Sequence, residues 1–362
     1  MAIFKKLALI LGGILVACLL LEGILRLYFL VTHRDIRLYR PSVVSGLMRG
    51  RFTSHPFLPF ASRPLDSRKL FVYREEIGQT LEVDIKTNSL GFRTEDRPFE
   101  KPPGTKRVIV LGGSTTMDGP TNQETWPALL EKKLNETYPN TRIEVINFGL
   151  DMGSSPMSLI NLEFIGVEYS PDLIISYDGV NDSNLMGYES ISPDYRNILN
   201  RYDPNKLPLQ ARLPAWAFHS YFISVCSRKL DDVFYGPQEI YHQVIWNNVA
   251  KLKPSRNELE GVALFERNLR LMRAAAREYE SKFLAATPHW VTPSEKVNRL
   301  NDELRRFFQR AEIDYVDLDG LLPHDDWSLH VDQVHWSRKG LETVAERFKE
   351  KIVADDLLGL KR

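Results

Sequence analysis

The chain of 362 residues has only two cysteines, Cys18 and Cys226, and no excess of either charge. Two cysteines are too few for a disulfide framework or a thiolate metal site. Lys and Arg together number 47, as do Asp and Glu, so the formal net charge is zero. Because nucleic-acid binding depends on an excess of basic side chains, we expect no nucleic-acid partner.

Motifs for nucleotide cofactors are also missing. There is no Gly-Lys-Ser/Thr ending of a P-loop and no Gly-x-Gly-x-x-Gly fingerprint of a dinucleotide site. There is no Gly-x-Ser-x-Gly elbow either, which weighs against the standard α/β-hydrolase family. We therefore expect no cofactor.

One long apolar run is present, near the start of the chain. Residues 7–31 are long enough to span a bilayer, which needs about 20 apolar residues. Glu22 and Arg26 interrupt the run, but they are four residues apart and can pair on one face of a helix. We predict a single-pass membrane anchor over residues 1–31. A cleaved signal peptide, or acylation of Cys18 in a lipobox-like segment, are the alternatives.

Basic residues flank this run on both sides. Lys5 and Lys6 precede it, and four basic or titratable residues follow it, namely His33, Arg34, Arg37 and Arg40. By the positive-inside rule this balance favours a cytosolic domain.

The chain then changes character twice. Residues 32–104 are predicted to form a tether and a small β preface. The stretch to about residue 70 shows no hydrophobic period, as expected of a tether, whereas the alternating pattern of residues 80–93 predicts a strand followed by a turn. Residues 105–358 alternate strands and helices, with strands predicted at 107–111, 143–147, 172–177, 282–286 and 314–318. This alternation predicts an α/β fold, a doubly wound parallel sheet of flavodoxin-like type with helices on both faces.

The alternation stops between about residues 183 and 260. This segment is irregular and rich in Pro, Asn, Tyr and Trp. Inserted at the carboxyl ends of the strands, it would form a cap over the substrate. A surface elaboration without substrate contact is the alternative.

Candidate catalytic residues follow the first and precede the last of these elements. Ser114 comes directly after two glycines at the end of a strand, and Asp332 and His335 lie three residues apart before the terminal helix. A serine hydroxyl needs a base to accept its proton and a carboxylate to orient that base. Asp317 or Asp319, which also follow a strand, could supply that carboxylate instead.

An oxyanion hole would need hydrogen-bond donors on the neighbouring loops. The second strand is followed by Gly149 and Gly153, and the third by Gly179-Val-Asn181-Asp. The Ser114 N–H, a glycine N–H and the Asn181 amide could together bind the oxyanion. For each loop taken alone, the alternative is that its glycines and asparagines only form a turn at the end of a strand.

These four blocks together resemble the SGNH hydrolases, also called GDSL-type esterases and lipases, over roughly residues 105–182 and 262–355. The resemblance implies that Ser114 is the nucleophile, His335 the base, Asp332 its orienting acid and Asn181 an oxyanion donor. In this family the glycine that donates to the oxyanion lies five residues after the Asn that ends the second strand, and this chain has Met152 there. Gly153 is therefore the first choice for the second donor, and Gly149 is the next. The anchor and the segment Asn88-Ser-Leu-Gly-Phe-Arg93 resemble the membrane-tethered bacterial branch, which implies a domain facing the periplasm or exterior.

The remaining histidines have structural explanations. His289 reads as structural or substrate-lining, and His324 and His330 lack the helical His-x-x-x-His spacing of a metal site, so we expect no metal. The sequence as a whole predicts a serine esterase of the inner membrane that removes O-acyl groups, for example acetyl, from an envelope glycan or lipid. An O-acyltransferase in polysaccharide modification and a non-catalytic binding or scaffold protein are the alternatives.

Overall fold

A computed structural model describes residues 2–32, 52–74, 77–199, 201, 217, 220–235 and 252–360. The helices are α1 Ala2–Val31, α2 Ser114–Met117, α3 Trp126–Thr137, α4 Ser155–Asn161, α5 Val180–Ser183, α6 Tyr221–Tyr235, α7 Val262–Glu278, α8 Glu295–Arg310, α9 Leu318–Leu321 and α10 Arg338–Ala354. The strands are β1 Phe52–Thr53, β2 Ala61–Ser62, β3 Ser67–Arg74, β4 Gln79–Lys86, β5 Thr105–Gly112, β6 Arg142–Gly149, β7 Leu173–Tyr177, β8 Lys282–Ala286 and β9 Asp314–Val316. Two compact units result, residues 1–52 with 201–247, and residues 53–200 with 248–362.

The first unit contains the two helices α1 and α6. Within α1, residues Phe4–Val31 are apolar enough to cross a membrane, with a mean hydropathy of 2.5 over the most apolar window. None of that window is buried inside the protein. By length and composition, α1 fits a membrane span or a signal sequence.

The second unit is built on a parallel sheet of five strands in the order β6-β5-β7-β8-β9. The predicted doubly wound α/β fold is confirmed, and each predicted strand is present with boundaries within two residues. β5 lies between β6 and β7, so the loops that follow these three strands meet at the point where the strand order reverses. Such a switch point is where open α/β sheets bind their ligands.

Both faces of the sheet are covered because its strands are apolar on both sides. In β5, Val108 and Val110 pack towards α3 and α10, where Trp126 stacks on Phe348 with ring centroids 4.6 Å apart. On the opposite face of the sheet, Ile109 and Leu111 pack towards α4, α7 and α8. A parallel sheet buried on both faces has continuous apolar strands, and this is the pattern of β5.

The β preface is an antiparallel hairpin of β3 and β4. The prediction of a tether without period to about residue 70 differs at β3, since Ser67–Arg74 pairs along its whole length with Gln79–Lys86. Val83 and Ile85 of β4 pack on Met117, the last residue of α2. The hairpin therefore supports the short helix that follows β5.

The segment predicted as a cap, residues 183–260, divides between the two units. Helix α6 belongs with α1, whereas the flanking stretches belong with the sheet. Parts of the expected cap and of the expected tether, residues 202–216, 236–251 and 33–50, lie outside the described residues.

Candidate active site

Ser114 lies at the carboxyl end of β5, as the first residue of α2. The two glycines before it are required by space. A Cβ on Gly112 would lie 2.6 Å from the Tyr177 carbonyl oxygen, and one on Gly113 would lie 3.0 Å from the Asn181 amide nitrogen. The tight turn thus brings the Ser114 backbone beside the loop that follows β7.

His335 reaches Ser114 from the segment before α10. Its Nε2 lies 2.9 Å from Ser114 Oγ, and its Nδ1 lies 2.7 Å from Oδ2 of Asp332. The Asp332 carboxylate also accepts the backbone N–H groups of Val334 and His335, at 3.0 and 2.8 Å. With a proton on Nδ1 donated to Asp332, Nε2 carries the lone pair that can accept the serine proton.

Asn181 lies in α5, directly beside the Ser114 turn. Its Nδ2 donates one hydrogen bond, 2.7 Å long, to the Gly153 carbonyl oxygen, and the amide has a second hydrogen to donate. The Ser114 N–H donates no hydrogen bond within the described chain, as expected at the first turn of a helix. These two donors are adjacent because the loops after β5 and β7 are neighbours in the sheet.

The two glycines of the β6 loop differ in their surroundings. Gly149 N–H donates to Asn147 Oδ1 at 2.8 Å, and a Cβ there would clash with the backbone of Met117. Gly153 N–H donates to the Leu150 carbonyl at 2.8 Å, so both glycine N–H groups already have an acceptor. Gly153 still touches the site, because its carbonyl oxygen holds the Asn181 amide.

Met152 occupies the position of the family glycine, but the sequence did not point to its backbone N–H as a donor. It has φ +59°, in the left-handed region that glycine favours, and its side chain is buried. The Met152 N–H donates no hydrogen bond within the described chain. Its offset of five residues from Asn147, where the family resemblance expects a glycine, was the signal that could have found it.

Two buried carboxylates lie behind Asn181. Asp182 accepts Ser155 Oγ at 2.5 Å and Tyr195 OH at 3.0 Å, which ties the end of the β6 loop to the start of the inserted segment. Asp178 accepts Ser158 Oγ and Ser176 Oγ, at 2.8 and 2.7 Å. Burial, reinforced by the charge of Asp182, raises the pKa of Asp178 to about 7.

Arg93, from the Asn88–Arg93 segment, is the cation that fixes the loop after α2. Its guanidinium is almost fully buried and donates to the carbonyl oxygens of Met117, Asp84 and Gly119, at 3.0, 2.8 and 2.8 Å. The preface therefore holds the carboxyl end of the helix that begins at Ser114. The sequence signalled the segment but not this contact, because the acceptors are backbone carbonyl oxygens 9, 24 and 26 residues away.

The alternative acids are engaged elsewhere. Asp317 and Asp319 both accept hydrogen bonds from Arg305, at 2.9 and 2.6 Å. This pairing lowers the pKa of Asp317 despite its partial burial. Of the three candidate carboxylates, Asp332 is the one in contact with His335.

His289, His324 and Asp319 are the described residues that could hold a metal ion. His289 is fully buried, neither ring nitrogen has a hydrogen-bond partner, and burial lowers its pKa to about 3. The candidate ligand atoms all lie within 4.8 Å of one another. The sequence lacks the helical His-x-x-x-His spacing at these residues, and the absence of a metal stays a prediction.

A parallel sheet with a serine after strand β5, in contact with a histidine that is itself bonded to an aspartate of the last loop, defines an SGNH-type serine hydrolase. The model of the GDSL-like lipase/acylhydrolase family matches residues 104–348. The chain therefore belongs to this family.

Solved structures resemble the chain in fold at low sequence identity. A lipase/acylhydrolase from Enterococcus faecalis is 14% identical, with a TM-score of 0.42, covering 69% of this chain and 96% of its own. An acetyl xylan esterase, AlAXEase, is 15% identical with a TM-score of 0.42, covering 68% and 99%. A catalytic mutant of an acetylxylan esterase from Geobacillus stearothermophilus is 15% identical with a TM-score of 0.42, covering 68% and 94%. No curated protein matches the chain.

Proposed function

We propose that the protein is a membrane-anchored serine esterase that removes O-acyl groups from an envelope glycan or lipid through an acyl-enzyme. The observation that carries the proposal is the hydrogen-bonded chain from Ser114 Oγ through His335 to Asp332, with links of 2.9 and 2.7 Å. Both lengths fall within the reach required for proton transfer. Within a family of acylhydrolases, this series of hydrogen bonds supports ester chemistry over a purely structural role.

In the acylation step, Ser114 Oγ attacks the ester carbonyl carbon while its proton passes to His335 Nε2. The carbonyl π electrons move to oxygen and give a tetrahedral oxyanion. When the intermediate collapses, the bond to the alkoxy oxygen breaks and the imidazolium returns its proton to the departing alcohol. Water then repeats the sequence on the acyl-enzyme, with His335 as base, and releases the carboxylic acid.

The oxyanion would be held by the Ser114 N–H, the second hydrogen of the Asn181 amide and a donor from the β6 loop. For that third donor we propose the Met152 N–H, while Gly153 contributes by orienting Asn181 through its carbonyl oxygen. Gly149 is the weaker candidate, because its N–H is already bonded to Asn147. Donors fixed in this way stabilise charge that exists only in the transition state and its intermediate.

The acyl group is proposed to be short, with acetyl as the first candidate. The acetyl xylan esterases among the similar structures act on acetylated glycans, and that class of substrate suits a surface-facing enzyme. We propose that α1 spans the bacterial inner membrane and that the domain faces the periplasm or exterior. The apolar length of α1 supports the span, and the resemblance to the tethered branch of the family supports the side.

Hydrolysis of p-nitrophenyl acetate and longer esters by the full chain in detergent tests the mechanism. Ser114→Ala and His335→Ala should each lower kcat by at least about 10⁴-fold. His324→Gln, a substitution on the same loop at a partly exposed histidine, should retain activity. Equal activity of all four proteins would contradict the assignment of Ser114 and His335.

A product assay with an acetylated donor and a glycan acceptor separates hydrolysis from transfer. Free acetate as the product supports the esterase, whereas acetylated acceptor would establish an O-acyltransferase working through the same acyl-enzyme. A protein that neither turns over nor is labelled by a fluorophosphonate probe would be a non-catalytic binding protein.

A further inference from the structure

Glu22 is a carboxylate within the apolar helix α1, and α6 supplies three of its hydrogen-bond donors. Its two oxygens accept the backbone N–H groups of Tyr221 and Phe222, at 3.1 and 2.8 Å, and the Ser220 hydroxyl at 2.8 Å. Arg26 adds a charged donor at 2.8 Å. The carboxylate thus caps the amino-terminal end of a helix nearly two hundred residues away, where a negative charge is favoured.

The contact continues along one stripe of α1. Four residues spaced four, three and four apart are less exposed than their neighbours, namely Cys18, Glu22, Leu25 and Phe29. Facing them, α6 buries Ser224 and Ser227. Small residues at such positions let two helix backbones approach closely, which is how helices associate within membranes.

Aromatic contacts extend the packing at the start of α6. The rings of Phe29 and Tyr221 lie 5.8 Å apart, and the Arg26 guanidinium lies 4.8 Å above the Tyr221 ring. Both cysteines belong to the packed region, since Cys18 lies on the less exposed stripe of α1 and Cys226 directly precedes the buried Ser227 of α6.

The far end of α6 presents an apolar stripe that no described residue covers. Leu230, Val233 and Phe234 are 45%, 78% and 75% exposed and lie on one face by their spacing. Lys6 and Glu22 are separated by about 24 Å of helix, slightly less than the hydrocarbon thickness of a bilayer. If the lysine lies at one interface, the Glu22 cap lies near the other.

We propose that α6 is a second membrane element that is held on the anchor by Glu22. It lies in the membrane–water interface on the periplasmic or exterior side, with Leu230, Val233 and Phe234 in contact with lipid. The inference rests on the proposed spanning of the membrane by α1 and not on the esterase chemistry. It assigns this part of the insertion to the anchor and the bilayer rather than to the substrate. It also gives Glu22 a function beyond its pairing with Arg26.

Oxidative cross-linking of the native cysteines tests the docking, because the chain contains only Cys18 and Cys226. The full chain is reconstituted in vesicles of phosphatidylethanolamine and phosphatidylglycerol and oxidised with copper phenanthroline. We expect an intramolecular disulfide in most molecules, identified by peptide mass, and at least a fivefold loss of it in Glu22→Ala. Glu22→Gln, which keeps one acceptor oxygen, should be intermediate. Absence of the intramolecular product, with both thiols reactive to maleimide, would overturn the docking; a Cys18 unreactive because it is acylated would overturn it as well.

Spin labels test the contact with lipid. In a Cys18→Ser, Cys226→Ser background, a label at Phe234→Cys should be accessible to oxygen and protected from a water-soluble nickel chelate, and one at Lys229→Cys should show the reverse. Equal nickel accessibility at both positions would overturn the lipid contact. Alkaline carbonate extraction tests α1 independently: a chain that washes off the vesicles refutes the spanning helix, whereas retained ester hydrolysis would leave the serine-hydrolase proposal intact.

Discussion

Asp332 holds His335 at two points, since its carboxylate accepts both the Nδ1 of the ring, at 2.7 Å, and the backbone N–H, at 2.8 Å. The three-residue spacing makes this local clamp possible. It fixes the ring with Nε2 towards Ser114 and explains why the pair can be recognised in sequence. This contact also predicts the effect on catalysis of replacing the carboxylate with an amide.

Asp332→Asn should lower kcat for ester hydrolysis by on the order of 10³–10⁴-fold with little loss of stability. An amide can orient the ring, but its NH₂ favours the tautomer with the proton on Nε2, which cannot accept from Ser114. Asp325→Asn, on the same loop with φ +62°, is the matched control because asparagine accepts a left-handed conformation. Similar kcat values for the two variants would count against the role of Asp332.

Asn181→Ala should lower kcat by about 10²–10³-fold while KM changes little, because the amide acts on charge that develops in the transition state. The control is Asn184→Ala, an exposed residue one turn further along the chain. Stopped-flow measurement of the p-nitrophenol burst should show slow acylation in the first variant alone. A loss that resides in KM would point instead to substrate binding by Asn181.

The fold and the contact between Asp332 and His335 were predictable because their signals are local. Each buried strand of the parallel sheet leaves an apolar run that ends in turn residues, and Asp332 and His335 are neighbours in the chain. Strand β3 was not predictable, because its pairing with β4 rather than its own pattern defines it. The Arg93 contacts depend on backbone carbonyls on three separate stretches of the chain, which leave no trace in residue types.

Met152 offers a test of the proposed backbone donor. Its φ of +59° is strained for any residue with a Cβ and most strained for a β-branched one. Met152→Gly should therefore keep kcat within a few-fold, although it loses the buried side chain and some stability. Met152→Val should lose kcat by tenfold or more, because the loop must change conformation and move the N–H. Equal kcat values in the two variants would exclude a catalytic requirement for this backbone geometry.

Asp178 should make stability fall as pH rises. Burial raises the pKa of its carboxyl to about 7, so in the folded protein the proton stays bound where the unfolded chain has already released it. Stability from this group is thus complete below about pH 4 and is lost as the pH rises through about 7. Relative to wild type, Asp178→Asn should gain up to a few kcal/mol between these limits, because an amide stays neutral. Urea unfolding from pH 4 to pH 8 measures the difference, and a constant gap between the two proteins would exclude the shift.

Arg93→Lys should destabilise the protein and slow catalysis together. A lysine keeps the charge but has no planar fork to reach the carbonyl oxygens of Met117, Asp84 and Gly119 at once, so buried acceptors lose their donor. A cost of about 3 kcal/mol is expected from the loss of charged hydrogen bonds. Because Met117 ends the helix that begins at Ser114, the nucleophile should also become less ordered, and kcat should fall by roughly tenfold with KM nearly constant.

The control for this prediction is Lys69→Met. This change removes an exposed ion pair with Glu82 within the β3–β4 hairpin and should match wild type in both properties. If Arg93→Lys lowers stability but leaves kcat unchanged at a temperature where it is fully folded, the arginine only stabilises the preface; if kcat falls there as well, the preface positions the nucleophile.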